Sequence, residues 1–303
     1  MSVLILTEAE LRRLVPLDLA AVHAAEQAFR ALGEGRAIQP PVLALEIAPR
    51  NAEVDIKTAY IEGIPQLAIK ASSGFFDNPA RGLPSLSGFM AVLSAETGRM
   101  EAVLLDNGYL TDLRTAAAGA LAARELARPE ARIAGVLGTG LQARLQIEAL
   151  KLVRPLERVL VWGRRAETAQ GYADEMSQRA REALVQANWL QPGQHLTAMG
   201  SDAPYKNEIA PDALVLATHF VCDLASQSLA LGELGPAVAA GAVAETAQPT
   251  ELGTIVCGHA AGRTGSDDIT LCDLTGTGAQ DTAIAAHALK LAREAKLGQK
   301  IEA

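Results

Sequence analysis

Residues 133–143 read IAGVLGTGLQA, an apolar run that turns on two glycines into a helical pattern from Leu141 to Leu152; a second apolar run comes at Val159–Trp162. Strand, helix and strand in about thirty residues make a β-α-β unit. Such a unit commits this part of the chain to a parallel sheet with a crossover helix on one face. The glycine spacing adds a second constraint. Gly138 permits a tight turn, Gly140 lets backbone come close to a pyrophosphate, and Ala143 is small enough for helix and strand to pack closely. The helix start offers N–H groups and the positive end of the helix dipole. Gly138, Thr139, Gly140, Leu141, Gln142 and Ala143 are therefore candidate contacts to a dinucleotide, the alternative being an ordinary strand-to-helix turn.

The end of the second strand separates the nicotinamide cofactors. An acidic side chain there binds the ribose hydroxyls of NAD, but the sequence reads VWGRR, with Arg164 and Arg165. Arginine accepts a 2′-phosphate, which tilts an NAD(P) site slightly toward NADP. Two solvated surface arginines are the other reading.

Elsewhere the hydrophobic period differs. Asp18 precedes a helical pattern (Leu19, Val22, Phe29, Leu32) that Gly33 and Gly35 stop. Residues 42–48, 54–60, 66–71, 88–94 and 101–105 are short, partly alternating runs between turn residues, the pattern of an antiparallel meander. Alanine-rich helical patterns cover 111–127 and 279–295, a helix is expected from Ala166 to about Val185, and 195–199 and 220–223 are further strand candidates. The expected fold class is α/β: a Rossmann dinucleotide-binding domain with a parallel sheet, plus an α+β domain.

The chain has 303 residues and a net charge of -8, which argues against a nucleic-acid or anionic-membrane partner, since either needs a basic face. Cys222, Cys257 and Cys272 have no C-x-x-C spacing, and the five histidines are scattered with no H-E-x-x-H, so no metal is expected. The first residues lack a basic stretch before an apolar one, and no apolar run is long enough to span a bilayer. The expectation is a soluble cytoplasmic protein.

Four segments carry a resemblance: LLDNGYLTDLRTAAAGALAA (104–123), GTGLQA (138–143), HLTAMGSDAPYKNE (195–208) and DDITLCDLTGTGAQD (267–281). Together, and in this order, they resemble the ornithine cyclodeaminase/mu-crystallin family over nearly the whole chain. The wording of the last two is most similar to its ectoine-utilisation branch. The resemblance implies a nicotinamide cofactor, a small amino or imino acid substrate and a homodimer. It implies a substrate-binding and dimerisation domain from residues 1–115 together with 282–303, and a Rossmann NAD(P)-binding domain from 116–281. The activity implied is an amino-acid dehydrogenase or imine reductase. Its alternatives are a true cyclodeaminase with catalytic NAD and a non-catalytic mu-crystallin-like binding protein.

Residue by residue, the resemblance implies that Asp202 is catalytic, managing the proton and positive charge on the substrate nitrogen. It implies that Lys70 holds the substrate carboxylate or donates a proton, although a lysine out of phase with Leu67 and Ile69 reads on its own as an exposed strand residue. Arg114, placed by the sequence in the first turn of its helix, would contact cofactor phosphate; the helix dipole disfavours a cation there. Ser85 and Lys206 match cofactor-contacting positions, and Thr275 and Gly276 match a loop that closes on nicotinamide and substrate. Asp281 reads equally as a structural cap.

Two departures stand out. Relatives carry an arginine for the substrate carboxylate in the first strand of the substrate domain, where this chain has Leu43 and Ala44; Arg50 and Arg81 are candidate substitutes. After Ala183 the chain also lacks about thirty residues, the scale of a further Rossmann half-unit.

Overall fold

The computed structural model describes residues 2–138, 140–162 and 185–302. Thr139, Arg164, Arg165 and the helix expected from Ala166 onward lie outside the described residues. The strands are β1 (Ser2–Thr7), β2 (Ala37–Ile38), β3 (Leu43–Ile47), β4 (Ala52–Ile61), β5 (Gln66–Phe75), β6 (Leu86–Ser94), β7 (Met100–Leu105), β8 (Ile133–Leu137), β9 (Arg158–Trp162), β10 (His195–Ala198), β11 (His219–Cys222), β12 (Thr250–Glu251), β13 (Thr270–Asp273) and β14 (Gln299–Glu302). The helices are α1 (Glu8–Leu14), α2 (Leu19–Gly33), α3 (Tyr109–Leu126), α4 (Leu141–Lys151), α5 (Pro211–Leu216), α6 (Ala225–Leu231), α7 (Leu234–Ala239), α8 (Leu252–Val256) and α9 (Gly278–Ala295). The chain divides into two compact units, residues 1–117 with 277–303 and residues 118–276, so the division falls inside α3.

The first unit is α+β. Its sheet runs β14-β1-β7-β6-β5-β4-β2, with β3 also paired to β4. The expected meander is there: β4 to β7 are antiparallel neighbours. The sequence patterns give no sign of β1 and β14. β1 lies parallel to β7, and β14 closes the edge antiparallel to β1. Asp18 caps α2, accepting from the amides of Ala20 and Ala21. Helices α2 and α9 pack on each other, and α9 covers β4 and β5.

The covered face carries Ala59, Ile61, Ala68, Met90, Val92, Ala102 and Leu104, all buried. The fit of α9 is close. A Cβ on Gly278 would stand 2.3 Å from the Thr58 carbonyl oxygen. One turn on, the Thr282 hydroxyl accepts from the Ala68 amide at 3.1 Å and donates to the Ala59 carbonyl at 2.8 Å. Strand alternation puts Leu43, Leu45, Tyr60, Ile69, Phe89 and Leu105 on the opposite face, where all are exposed.

The second unit is α/β with parallel strands. β8 and β9 pair in parallel on either side of α4, as the β-α-β pattern requires. A second parallel sheet runs β10-β13-β11-β12, over a core that includes Leu271, Ile209, Leu214 and Ala198. Arg154 finishes the C-terminal turn of α3 by donating from Nη2 to the carbonyls of Ala123, Arg124 and Ala127. No described helix is long and apolar enough to cross a membrane.

The approach of α9 to β4 is directly testable. Gly278→Ala forces a methyl group into backbone that a rigid sheet holds in place, and such overpacking costs about 1–3 kcal/mol. A urea titration should show the midpoint falling with the slope unchanged.

Candidate functional site

In the first unit, three separate chain segments bring their charges together. Lys70 is the fifth residue of β5, and its side chain lies on the face that α9 covers, only 2% exposed. The exposed-strand reading is therefore corrected. Leu67 and Ile69 point to the bare face, and Lys70 shares the buried one with Ala68. Arg114 is also corrected. The helix α3 begins at Tyr109, so Arg114 is in its second turn rather than its first. What holds it is an ion pair: Arg114 Nε donates to Asp281 Oδ1 at 3.0 Å, and Lys70 Nζ stands 3.4 Å from Asp281 Oδ2.

Asp281 is fully buried in the first turn of α9. It is not the cap: Thr277 is, in a capping box with Gln280. Burial pushes the Asp281 carboxyl up, but Lys70, Arg114 and Lys57 together outweigh it and hold it below the usual carboxylate range. For Lys70 burial wins, since Arg114 and Lys57 repel its charge while only Asp281 supports it, and its pKa comes down to about 8. Beside this group Asp106 ties down the start of α3 by accepting from the Leu110 amide at 2.8 Å. Its carboxyl is raised to about 6, chiefly by burial. Ser85 sits half-buried just before β6, its carbonyl accepting from the Phe75 amide.

In the second unit the loop after β10 presents Asp202, whose side chain is partly open to solvent. Lys206 Nζ donates to Asp202 Oδ1 at 2.5 Å. The loop is anchored from below by Glu233, a fully buried residue that no sequence motif marks. Glu233 accepts from the Ser201 hydroxyl, from Asn207 Nδ2, and from the amides of Glu208 and Ile209. Glu208 in turn accepts from the Gly200 amide at 2.9 Å.

The loop after β13 is held in the same way. The Thr275 hydroxyl donates to Asp223, the Gly276 amide donates to Asp223 Oδ2 at 2.7 Å, and Gln227 Nε2 donates to both Thr275 Oγ1 and the Gly276 carbonyl. Gly276 needs its left-handed φ of 80° to make that turn. Thr275 thus spends its hydroxyl internally and is buried. Asp223 and Gln227 carry no motif signal, because only the fold brings them to residues 275 and 276.

The glycine loop fits a dinucleotide phosphate. Gly138 takes φ 118°, a conformation that side chains rarely adopt, and a Cβ on either Gly138 or Gly140 would meet nothing within 4 Å. Gly140 caps α4 with no side-chain hydrogen bond, so the amides at the start of α4 keep donors for a ligand. Leu141 is exposed, and Gln142 and Ala143 are partly so. Among the described residues no group of His, Cys, Asp or Glu could hold a metal ion. His195 is half-buried and neutral, its pKa lowered to about 3 by loss of solvation and by Arg263, and it exchanges a hydrogen bond with Thr270. Cys222 and Cys272 are buried free thiols pushed up by burial.

Comparison with known proteins places these features in company. The model of the ornithine cyclodeaminase/mu-crystallin family matches residues 1–183 and 175–296. A Rhizobium meliloti protein that carries the name of a dehydrogenase is 49% identical, with 98% of each chain covered. An archaeal alanine dehydrogenase dimer solved with bound NAD superposes with a TM-score of 0.89 at 30% identity, covering 100% of this chain and 99% of that one. The Paracoccus denitrificans iminosuccinate reductase in complex with NAD+ gives a TM-score of 0.87 at 28% identity, with both chains covered completely. The Rhizobium alignment extends over 324 positions, more than the 303 residues of this chain can fill, so the relative carries residues that this chain lacks. The two family matches meet at 175–183, the place where the sequence itself looks short.

Asp281→Asn leaves Lys70 and Arg114 buried without their carboxylate. Breaking a buried ion pair on one side costs about 3–5 kcal/mol. A drop of that size in unfolding free energy should appear in urea, and double substitution with Lys70→Met should recover part of it.

Proposed function

Because the chain belongs to the ornithine cyclodeaminase/mu-crystallin family, we propose that it is an NAD(P)-dependent oxidoreductase acting on the C–N bond of a small amino or imino acid. The single observation that supports this reading most is the Lys70–Asp281–Arg114 group: buried cations held ready by a carboxylate, in a unit separate from the glycine loop. A packing role alone calls for apolar residues there.

In this reading residues 1–117 with 277–303 bind the substrate and residues 118–276 bind the cofactor, with Gly138, Thr139, Gly140, Leu141, Gln142 and Ala143 around the pyrophosphate. Arg114, Ser85 and Lys206 are further cofactor contacts. The nicotinamide, when bound, supplies or accepts the hydride at the substrate's α-carbon. Lys70 holds the substrate carboxylate, and its lowered pKa makes it able to give up a proton near neutral pH. Asp202 receives or returns the proton on nitrogen, with Lys206 holding its carboxylate in place. Gly276, in a loop fixed by Asp223 and Gln227, offers backbone to the substrate, and Thr275 sets that backbone.

Arg164 and Arg165 support NADP(H) over NAD(H). The bare apolar face bearing Leu43, Leu45, Ile69, Phe89 and Leu105 supports a homodimer through the first unit. The wording of residues 195–208 and 267–281 supports the ectoine-utilisation branch.

The deciding experiment is cofactor oxidation with pyruvate plus ammonium, oxaloacetate plus ammonium and Δ1-pyrroline-2-carboxylate. One NADPH or NADH should be consumed per amino acid formed, with the lower KM for NADPH. Ornithine converted with no net change in cofactor would make the protein a cyclodeaminase instead. No binding of either reduced cofactor by fluorescence or calorimetry would end the enzyme reading.

The pH dependence is set by Lys70. Its protonated form holds the carboxylate, is complete well below pH 8, and is lost above it because its folded pKa is lowered to about 8. Imine reduction, measured as kcat/KM, should therefore fall as pH rises through about 8. Lys70→Arg should shift that fall to higher pH, and a limb that stays put would assign it to another group.

A further inference from the structure

Lys57 and Lys70 are directly opposed residues of β4 and β5, and both side chains lie on the face that α9 covers. Directly opposed residues in an antiparallel pair have Cβ atoms about 4.5–5.5 Å apart, and like charges so placed repel. Here water screens little of that repulsion, since Lys57 is 6% exposed and Lys70 2%. On the same face of β4 the next residues, Ala59 and Ile61, are apolar and buried, so packing alone makes no demand for a lysine at 57. Lys57 is also close enough to act on its neighbours: its charge helps keep Asp281 ionised and pushes Lys70 down. Lys57, Lys70 and Arg114 thus all act on Asp281, with Asp55 two residues from Lys57 on the same face of β4, and an anion that reaches both lysines lowers the repulsion between them.

Resting on the function proposed above, we infer that Lys57 recognises a second carboxylate beside the one held by Lys70, so that the substrate is a dicarboxylic amino or imino acid. The spacing of opposed Cβ atoms, about 5 Å, is of the order that separates the two carboxylates of a four-carbon diacid. The chain also lacks a cation at Leu43 and Ala44, so positive charge for the substrate comes from β4 instead of β3. Lys57 therefore sets which acid is accepted, and Lys70 sets that an acid is accepted at all.

The test compares oxaloacetate plus ammonium with pyruvate plus ammonium, for the wild type, Lys57→Met and Lys57→Arg. In each mixture the keto acid and ammonia lose water to form the imine. The imine carbon takes the hydride of NADH or NADPH, the nitrogen takes a proton, and the oxidised cofactor leaves. The wild type should favour oxaloacetate in kcat/KM. Lys57→Met should cut the oxaloacetate-to-pyruvate ratio about 10- to 100-fold, the worth of one charge-assisted hydrogen bond, mainly through KM. Lys57→Arg should restore part of it. Succinate should raise the melting temperature of the wild type more than acetate does, and Lys57→Met should lose that difference. If both imines are reduced and the ratio does not move in Lys57→Met, Lys57 serves the first carboxylate or only the fold, and the inference is overturned. If neither imine is reduced, the proposed function fails with it, unless the succinate difference survives in the wild type alone. In that case the two-lysine anion site stands without the reaction.

Discussion

The carboxylate of Asp281 is the interaction on which the first unit's charged interior depends. A lysine from β5 and an arginine from α3 are buried together, and this one carboxylate stands within ion-pair distance of both. Asp281 arrives on a helix from the far end of the chain, 167 residues after Arg114 in sequence. Its position is set by backbone contact: Gly278 sits against the Thr58 carbonyl, and Thr282 threads its hydroxyl into the pairing of β4 with β5. The C-terminal segment is thus the part of the first unit that assembles its charges. This gives a physical reason for a unit built from both chain ends, because the carboxylate that pairs with Lys70 and Arg114 comes from the C-terminal helix.

The second unit uses the same device without cations. Glu233 and Asp223 are buried carboxylates that accept several backbone and side-chain donors each, and each fixes one loop. A carboxylate satisfied by several donors holds a loop more firmly than one hydroxyl could, since each bond to a charged acceptor is stronger than its neutral counterpart. Asp273 lies between these groups, accepting from Ser228 and from the Glu233 amide, and burial with two acidic neighbours pushes its carboxyl well up.

Periodicity and spacing make the local elements legible. The strand before the glycine loop, the helix after it and the meander all depend on residues a few positions apart. The hidden features depend on which segments meet. Lys70 reads as exposed because Leu67 and Ile69 look like the core face, whereas the covered face of β5 carries the small residue Ala68 where α9 presses close. Asp281 reads as a cap because it opens a helix, and its ion pairs reach back to β5 and α3. Arg114 reads one turn too early because Tyr109 and Leu110 carry no start signal, the capping role falling to Asp106. Glu233, Asp223 and Lys57 belong to no motif, and only sheet register or loop anchoring picks them out.

The sequence is short near 175–183 relative to its family. In the proposed function a pyrophosphate would be gripped by the turn at Gly138, the open backbone at Gly140 and the amides at the start of α4, and all three are formed here. The two family matches overlap at 175–183, beyond β9, and the alignment with the Rhizobium relative is longer than this chain. Among the described residues β8 and β9 pair only with each other, and Ile133, Leu137, Leu160 and Val161 are about half exposed or more. A parallel pair normally buries such residues on both faces. Among the described residues β8 and β9 thus carry less cover than a parallel pair usually has, whereas the turn at Gly138 and the start of α4 are built within one short stretch of chain.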